Sequence, residues 1–231
     1  MMKPEESLTA VRLRAPRAAA IAGILFAVLL MTSFWLIRLA VPADPLEAGA
    51  WLQTRANTVA LALNLVPFAG IAFLWFIGVL RDRLDEREDR FFATVFIGSG
   101  LLFLAMLFMS AAMAGGLIIA YTADSSRLLG SPSFTSARAI AYEIMNIYAI
   151  KMAGVFMIVT STLALRTGFL ARWIAFLGFA VALLLLLSSR HIEGILLAFP
   201  LWVLLISVYI LIDNLRQPSP AAATSEKERH E

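Results

Sequence analysis

Residues 18–37 read AAAIAGILFAVLLMTSFWLI and contain no charge between Arg17 and Arg38. A helix of about 20 apolar residues is long enough to cross the hydrocarbon core of a bilayer, which is roughly 30 Å thick. The run exceeds the apolar segment of a cleaved signal peptide, which has about 7–15 residues. We therefore predict a first helix that stays in the membrane.

Comparable apolar runs recur along the whole chain. Hydrophobic residues make up 61% of the 231 residues and charged residues only 15%, whereas soluble domains are about 45–50% apolar and about 25% charged. A soluble globule of this composition would lack the polar surface to cover itself. The fold class predicted is all-α, a polytopic transmembrane bundle of about six helices. The predicted spans are 18–41, 56–80, 91–120, 139–165, 173–189 and 194–213.

The distribution of positive charge predicts how the spans are oriented. Lys and Arg in short loops are retained on the cytoplasmic side of a membrane. Most of the 19 Lys and Arg residues lie before the first span, after the last, or in the second and fourth loops. Both termini are thus predicted to be cytoplasmic, with a basic segment at 1–17 and a disordered polar tail at 214–231.

The two longer loops on the other side have different local signals. Asp44-Pro45-Leu46-Glu47 has the order of an N-cap, a first-turn proline and an acid, which predicts a short interfacial helix leading to Trp51. The stretch 123–138 is rich in Ser, Gly and Pro and has no apolar periodicity, so we expect it to be irregular.

The fourth span carries three polar residues, Glu143, Asn146 and Lys151, within an apolar segment. Ionisable groups in hydrocarbon cost about 2.5–3.5 kcal/mol each, so they usually face the bundle interior or a wet cavity. Two interpretations stay open. The residues could form a proton or ion relay, or a counter-charge for an anionic solute, or they could form a structural polar network between helices.

Asn57 and Asn64 in the second span are seven residues apart and therefore share one helix face. Pro67 follows them and frees a backbone carbonyl. Polar residues beside a broken helix form binding sites in transporters, but they also form ordinary hydrogen bonds between helices. We include both residues in a candidate intramembrane polar site.

The first cytoplasmic loop, RDRLDEREDR at 81–90, contains Asp82-x-x-Asp85-x-x-x-Asp89. This spacing resembles the magnesium-diphosphate motif of intramembrane prenyltransferases of the UbiA type, in which carboxylates hold Mg²⁺. Arg81 stands where that family has Asn, and no second aspartate motif follows. The alternative is a solvated helical turn with ion pairs at i,i+4.

Several kinds of site are excluded or disfavoured by composition. The chain has no Cys and only two His residues, His191 and His230, so it has no thiolate metal site and no multi-His zinc site. We expect no cofactor, no resident metal and no nucleic-acid partner. Small residues at four-residue spacing, such as Ala19, Gly23 and Ala27, suit close helix packing. They could pack helices within one chain or between chains, so a second copy or another membrane protein is a possible partner.

The segment 73–100, FLWFIGVLRDRLDEREDRFFATVFIGSG, with the run that follows it to Gly116, resembles a group of uncharacterised multi-pass bacterial membrane proteins of the actinobacterial kind. The resemblance implies a bacterial inner membrane and no particular activity. No residue pattern meets the requirements of a catalytic site. We therefore expect a non-enzymatic accessory or oligomeric membrane component, with transport through Glu143, Asn146 and Lys151, or an Mg-dependent lipid-phase transferase, as alternatives.

Overall fold

The computed structural model of the chain describes residues 4–42, 44, 47, 49–82, 90–187 and 194–216. This part of the chain is all-helical and contains no strand. The side chains described within the first and last helices begin at Ala18 and end at Leu215. The helices are α1 Pro4–Ala40, α2 Leu52–Asp82, α3 Arg90–Ala123, α4 Ser125–Leu128, α5 Pro132–Glu143, α6 Ile150–Thr167, α7 Arg172–Leu187 and α8 Ala198–Arg216.

Five helical segments are long and apolar enough to cross a membrane, namely Ala18–Ala40, Leu52–Arg81, Phe91–Ala123, Pro132–Thr167 and Ile195–Leu215. α7 is also apolar, but it has only 16 residues. The segment Pro132–Thr167 consists of α5, a π-helical turn at Ile144–Ala149 and α6. The class of membrane-spanning helical protein predicted from composition is therefore supported, and the count of six crossings stays a prediction.

The helices pack in the order α8, α1, α2, α3, α6 and α7. α1 makes its most extensive contacts with α2 and α8. The most extensive contacts of α6 are with α7 and α3. α3 also packs against α2, and this contact joins the group of α8, α1 and α2 to the group of α3, α6 and α7. α8 touches α6 and α7 only lightly.

The centre of the bundle is occupied by aromatic rings. Five of the buried Phe rings come from five different helices, and these are Phe26, Phe73, Phe103, Phe156 and Phe199. We call these five residues the aromatic centre. The Phe73 ring centroid lies 4.5 Å from that of Phe26 and 5.3–5.7 Å from those of the other three. These separations are typical of favourable tilted and edge-to-face ring pairs.

The stripe of small residues on α1 is used within the chain. Ala19 and Ala27 are fully buried, and a Cβ added at Gly23 would overlap the Ser207 hydroxyl of α8 and the Phe76 ring of α2. Gly23 therefore allows α1 to approach two neighbours at once.

A second, smaller hydrophobic cluster lies at the end of the bundle where α1 ends and α2 begins. Leu52, Leu117 and Phe134 form its buried part, and we call the cluster with α4 and the first turns of α5 the cap. α2 has 31 residues and α3 has 34, or about 46 and 51 Å at 1.5 Å per residue. Both lengths exceed the thickness of a hydrocarbon core, which is about 30 Å.

The expectation that 123–138 is irregular is wrong. Ser131 accepts a hydrogen bond from the Phe134 N–H, and Pro132 occupies the first turn, so α5 begins there. This is the N-cap and first-turn proline combination that starts many helices. Asp124 similarly accepts from the Arg127 N–H at the start of α4. Hydrogen bonds from the Ser126 hydroxyl and from the Arg127 N–H keep the pKa of the Asp124 carboxyl below its usual value.

Two predicted segments fall largely outside the described residues. They are the proposed interfacial helix, of which Ala43, Pro45, Leu46 and Ala48 are not described, and the tail from 217 onward. Trp51 lies in the turn immediately before α2, half-buried. α1 begins at Pro4, so helix extends into the segment predicted as a basic N-terminal region.

Candidate functional site

Lys151 binds the end of a neighbouring helix. Its Nζ donates a hydrogen bond of 2.7 Å to the carbonyl of Leu186, the penultimate residue of α7. The last four carbonyls of a helix have no intrahelical partner, and the C-terminal end carries partial negative charge. A lysine at this position donates a hydrogen bond to a free carbonyl, and its positive charge interacts favourably with the helix dipole. The intramembrane charge thus has a structural partner on α7.

A second cation binds a helix end in the same manner. The Arg55 Nη1 donates to the carbonyl of Leu39 over 3.0 Å, one residue before the end of α1. This bond holds the start of α2 against the end of α1. Both cations therefore serve the free carbonyls of a preceding or neighbouring helix.

Arg138 is the most buried charged residue among those described, with 7% of its surface exposed. Its guanidinium donates to the carbonyls of Glu47 at 2.8 Å and Pro42 at 2.9 Å. The guanidinium carbon also lies 5.7 Å from the centre of the Trp51 ring. Arg138 thereby fastens α5 to the connection between α1 and α2. Its position in a polar stretch gave no sign of this burial.

Glu143 and Asn146 lie at an irregularity of the fourth predicted span. Glu143 is the last residue of α5, and Asn146 lies within the π-helical turn that follows. The Asn146 amide donates to the Tyr142 carbonyl at 3.0 Å, which in an α-helix accepts from the main-chain N–H of residue 146. Ser110 of α3 donates to the adjacent Ala141 carbonyl at 2.8 Å. Side chains inserted into the helical ladder are a known cause of such local breaks.

The structure brings the three residues of this candidate site onto one continuous helical segment, but in different roles. Asn146 bonds within its own helix, and Lys151 bonds α7. Glu143 is half-buried and has a polar or electrostatic interaction of its own. Eight residues separate Glu143 from Lys151, which is about 12 Å along the helix axis. Helical rise alone therefore does not bring Glu143 to Lys151.

Asn57 and Asn64 share one face of α2, as predicted, and that face is exposed. Pro67 is exposed on the same helix, which continues through it without interruption. The two amides therefore lie on the outside of the bundle. They are not brought into contact with Lys151 or with the aromatic centre.

The predicted aspartate motif cannot be placed. Asp82 is the last residue of α2, its side chain is not described, and Asp85 and Asp89 lie outside the described residues. In the part of the chain that is described, no group of three His, Asp or Glu side chains could hold a metal ion. The transferase hypothesis stays a prediction.

One small cavity lies inside the described part of the bundle. A cavity beside the aromatic centre, lined by residues that include Leu30, Phe103 and Phe199, has a volume of about 10 Å³. A buried water needs about that much space together with two to four polar partners. The walls of this cavity are almost entirely apolar, so it is dry.

Comparison with known proteins gives no relative. No family model, no curated protein and no solved structure matches this chain.

Proposed function

We propose that the chain is a non-enzymatic membrane component that acts through contacts with other membrane-embedded proteins. In this proposal it crosses the inner membrane of a bacterium six times, with α7 as the shortest crossing and both termini in the cytoplasm. The predominance of Lys and Arg on one side of the predicted spans supports this orientation. The cap then lies on the opposite side.

The observation that carries the proposal is the aromatic centre. A path that conducts solutes continuously needs polar groups or water along its lining, whereas here one buried Phe from each of five helices packs against its neighbours. Lys151 bonds a helix end at the periphery of that centre. These contacts favour a bundle whose interior provides stability and whose outer faces provide function.

One observation favours a second candidate, a proton or ion pathway. A π-helical turn lies between Glu143 and Lys151 and includes Asn146, and such turns are frequent at functional sites. In this second proposal Lys151 leaves its carbonyl partner and either pairs with a transported anion or releases its own proton and takes up another. The aromatic centre would then have to open.

Reconstitution into sealed vesicles tests the two proposals against each other. Proton, small-cation and small-anion fluxes are measured across a range of pH and potential for the unaltered chain and for Lys151→Met. The first proposal predicts fluxes equal to those of protein-free vesicles for both. A flux of the unaltered chain that Lys151→Met abolishes would establish the second and sink the first. Lys151→Arg should retain such a flux if an anion moves and lose it if a proton moves, because a guanidinium keeps its proton.

A further inference from the structure

The exposed face of α2 has a regular repeat. Exposed positions follow one another at alternate spacings of four and three residues, namely Asn57, Leu61, Asn64, Phe68, Ile71 and Trp75. We call these six residues the α2 seam. Such a seven-residue repeat is the pattern by which two helices supercoil around each other in a left-handed pair.

The apolar members of the seam are large and strongly exposed. Leu61, Phe68, Ile71 and Trp75 are between 54% and 66% exposed. The opposite face of the same helix, with Phe73 and Phe76, is fully buried in the bundle. α2 therefore has one face packed within the chain and another that has no neighbour among the described residues.

Asn64 is the unusual member of this seam because of its depth. The Ser33 hydroxyl donates to the Ala62 carbonyl at 2.9 Å, which places Ser33 of α1 and Ala62 of α2 at one level. From that level Arg38 is five residues away in one direction and Asn64 two residues away in the other. Asn64 therefore lies about 10 Å below Arg38, inside the apolar span of α1.

An amide at this depth on an outer face requires a partner. Its N–H and C=O groups find no water in hydrocarbon, and leaving them unpaired is costly. Within the described part of the chain, the Asn64 side chain makes no hydrogen bond. Asn57 lies near the level of Arg38, where interfacial water is available.

We propose that the α2 seam is the interface with a second copy of this chain, with the two Asn64 amides bonded to each other. Copies inserted into one membrane share one orientation, so two copies related by a two-fold axis along the membrane normal place their α2 helices parallel. Each seam residue then faces its own counterpart. An amide is both donor and acceptor, so Asn64 is complementary to itself. A single buried Asn on such a seam also fixes register and pairing.

The inference rests on the proposed function in that it names the partner that function requires. It predicts a parallel, left-handed crossing of the two α2 helices with a small angle, as in other heptad pairs. Apolar packing at Leu61, Phe68 and Ile71 supports the crossing, and the Asn64 pair specifies it.

Disulfide trapping provides the test, since the chain has no native cysteine. Single variants Leu61→Cys, Phe68→Cys and Ile71→Cys are oxidised in native membranes. Leu25→Cys is the matched control, because Leu25 is 49% exposed on α1 and lies at nearly the depth of Ile71. The seam variants should form covalent dimers, because facing seam positions meet the distance requirement of a disulfide. Leu25→Cys should form almost none.

Asn64 variants test the hydrogen bond itself in the Phe68→Cys background. Asn64→Leu should lower the dimer association constant by about 3- to 30-fold, and Asn64→Gln, which keeps the amide, should retain most of it. Both variants should keep the helical content and monomer stability of the parent, since Asn64 has no contact to lose inside the bundle.

Two outcomes would overturn the inference. They are seam variants that cross-link no better than Leu25→Cys, and an Asn64→Leu variant that dimerises as well as the parent. The proposed function fails separately, by the appearance of a Lys151-dependent flux. A monomeric chain without flux would sink the seam and leave the proposed function standing.

Discussion

Replacing Phe73 by Ala should destabilise the bundle more than any other single truncation of an aromatic ring. Phe73 is fully buried and contacts the rings of Phe26, Phe103, Phe156 and Phe199. An unrelaxed cavity of roughly 100 Å³ costs about 2.4 kcal/mol at about 24 cal/mol per Å³. Loss of the four ring pairs, at about 0.5–1.5 kcal/mol each, adds about 2–6 kcal/mol. The expected loss is about 4 kcal/mol or more in the free energy of unfolding.

The assay is reversible unfolding in mixed micelles, followed by far-UV circular dichroism as the fraction of denaturing detergent rises. The matched control is Phe176→Ala, because Phe176 is 61% exposed on α7. The control should lose less than about 1 kcal/mol, since lipid or detergent replaces its contacts and no cavity forms. Equal losses for the two variants would refute the reasoning that the five rings hold the helices together.

Three further predictions concern the side chains that join helices. Lys151→Met should lower the unfolding free energy by about 1.5–3 kcal/mol, because a hydrogen bond to a charged group is lost. Amide hydrogen exchange at the end of α7 should become faster, and unchanged exchange there would contradict the role of Lys151 as a cap of that helix. Arg138→Met should leave the carbonyls of Pro42 and Glu47 without their hydrogen-bond donor, and proteolysis in the connection between α1 and α2 should therefore become faster. A cleavage rate equal to that of the parent would show that the guanidinium does not stabilise this connection. Gly23→Ala should lower the free energy of unfolding by about 1–3 kcal/mol through overpacking. The control Gly78→Ala, whose added methyl group meets open space, should be neutral or mildly stabilising. A larger loss of stability for Gly78→Ala than for Gly23→Ala would show that α1 does not pack closely on α8.

The helical architecture could be predicted because it follows from solvent alone. A chain in hydrocarbon must form the hydrogen bonds of its backbone N–H and C=O groups internally. Long apolar runs therefore become helices, irrespective of the helices that pack beside them. The runs that begin at Ala18 and Phe91 are accordingly helical. The helices extend beyond the apolar runs, because helix ends depend on capping and on contacts in the cap.

The cap shows where sequence patterns were insufficient. Ser131-Pro132 is a helix start, but it was hidden by the surrounding Ser and Gly residues, which are typical of loops. The burial of Arg138 depends on carbonyls more than 90 positions away in sequence. No local pattern reports a contact at that separation.

The candidate polar site was predicted as a set of residues and not as an arrangement. The positions of Glu143, Asn146 and Lys151 were evident from their charge or polarity in an apolar run. The partner of Lys151 is a main-chain carbonyl of α7, and every residue has a carbonyl, so composition cannot single out this one. The exposure of Asn64 likewise became evident only when the buried face of α2 was known.

The closed centre of the bundle can be tested most directly by thiol accessibility of Ala153→Cys in intact membranes. Ala153 is 1% exposed and packs in the main core beside Phe156 and Phe199. Membrane-impermeant charged thiol reagents are applied from each side, with the exposed cap variant Ser126→Cys as the reactive control and detergent-denatured protein as the total. The account predicts no labelling of Ala153→Cys from either side and full labelling after denaturation. Labelling of the native protein from either side would reveal a water-filled path through the aromatic centre and contradict the account.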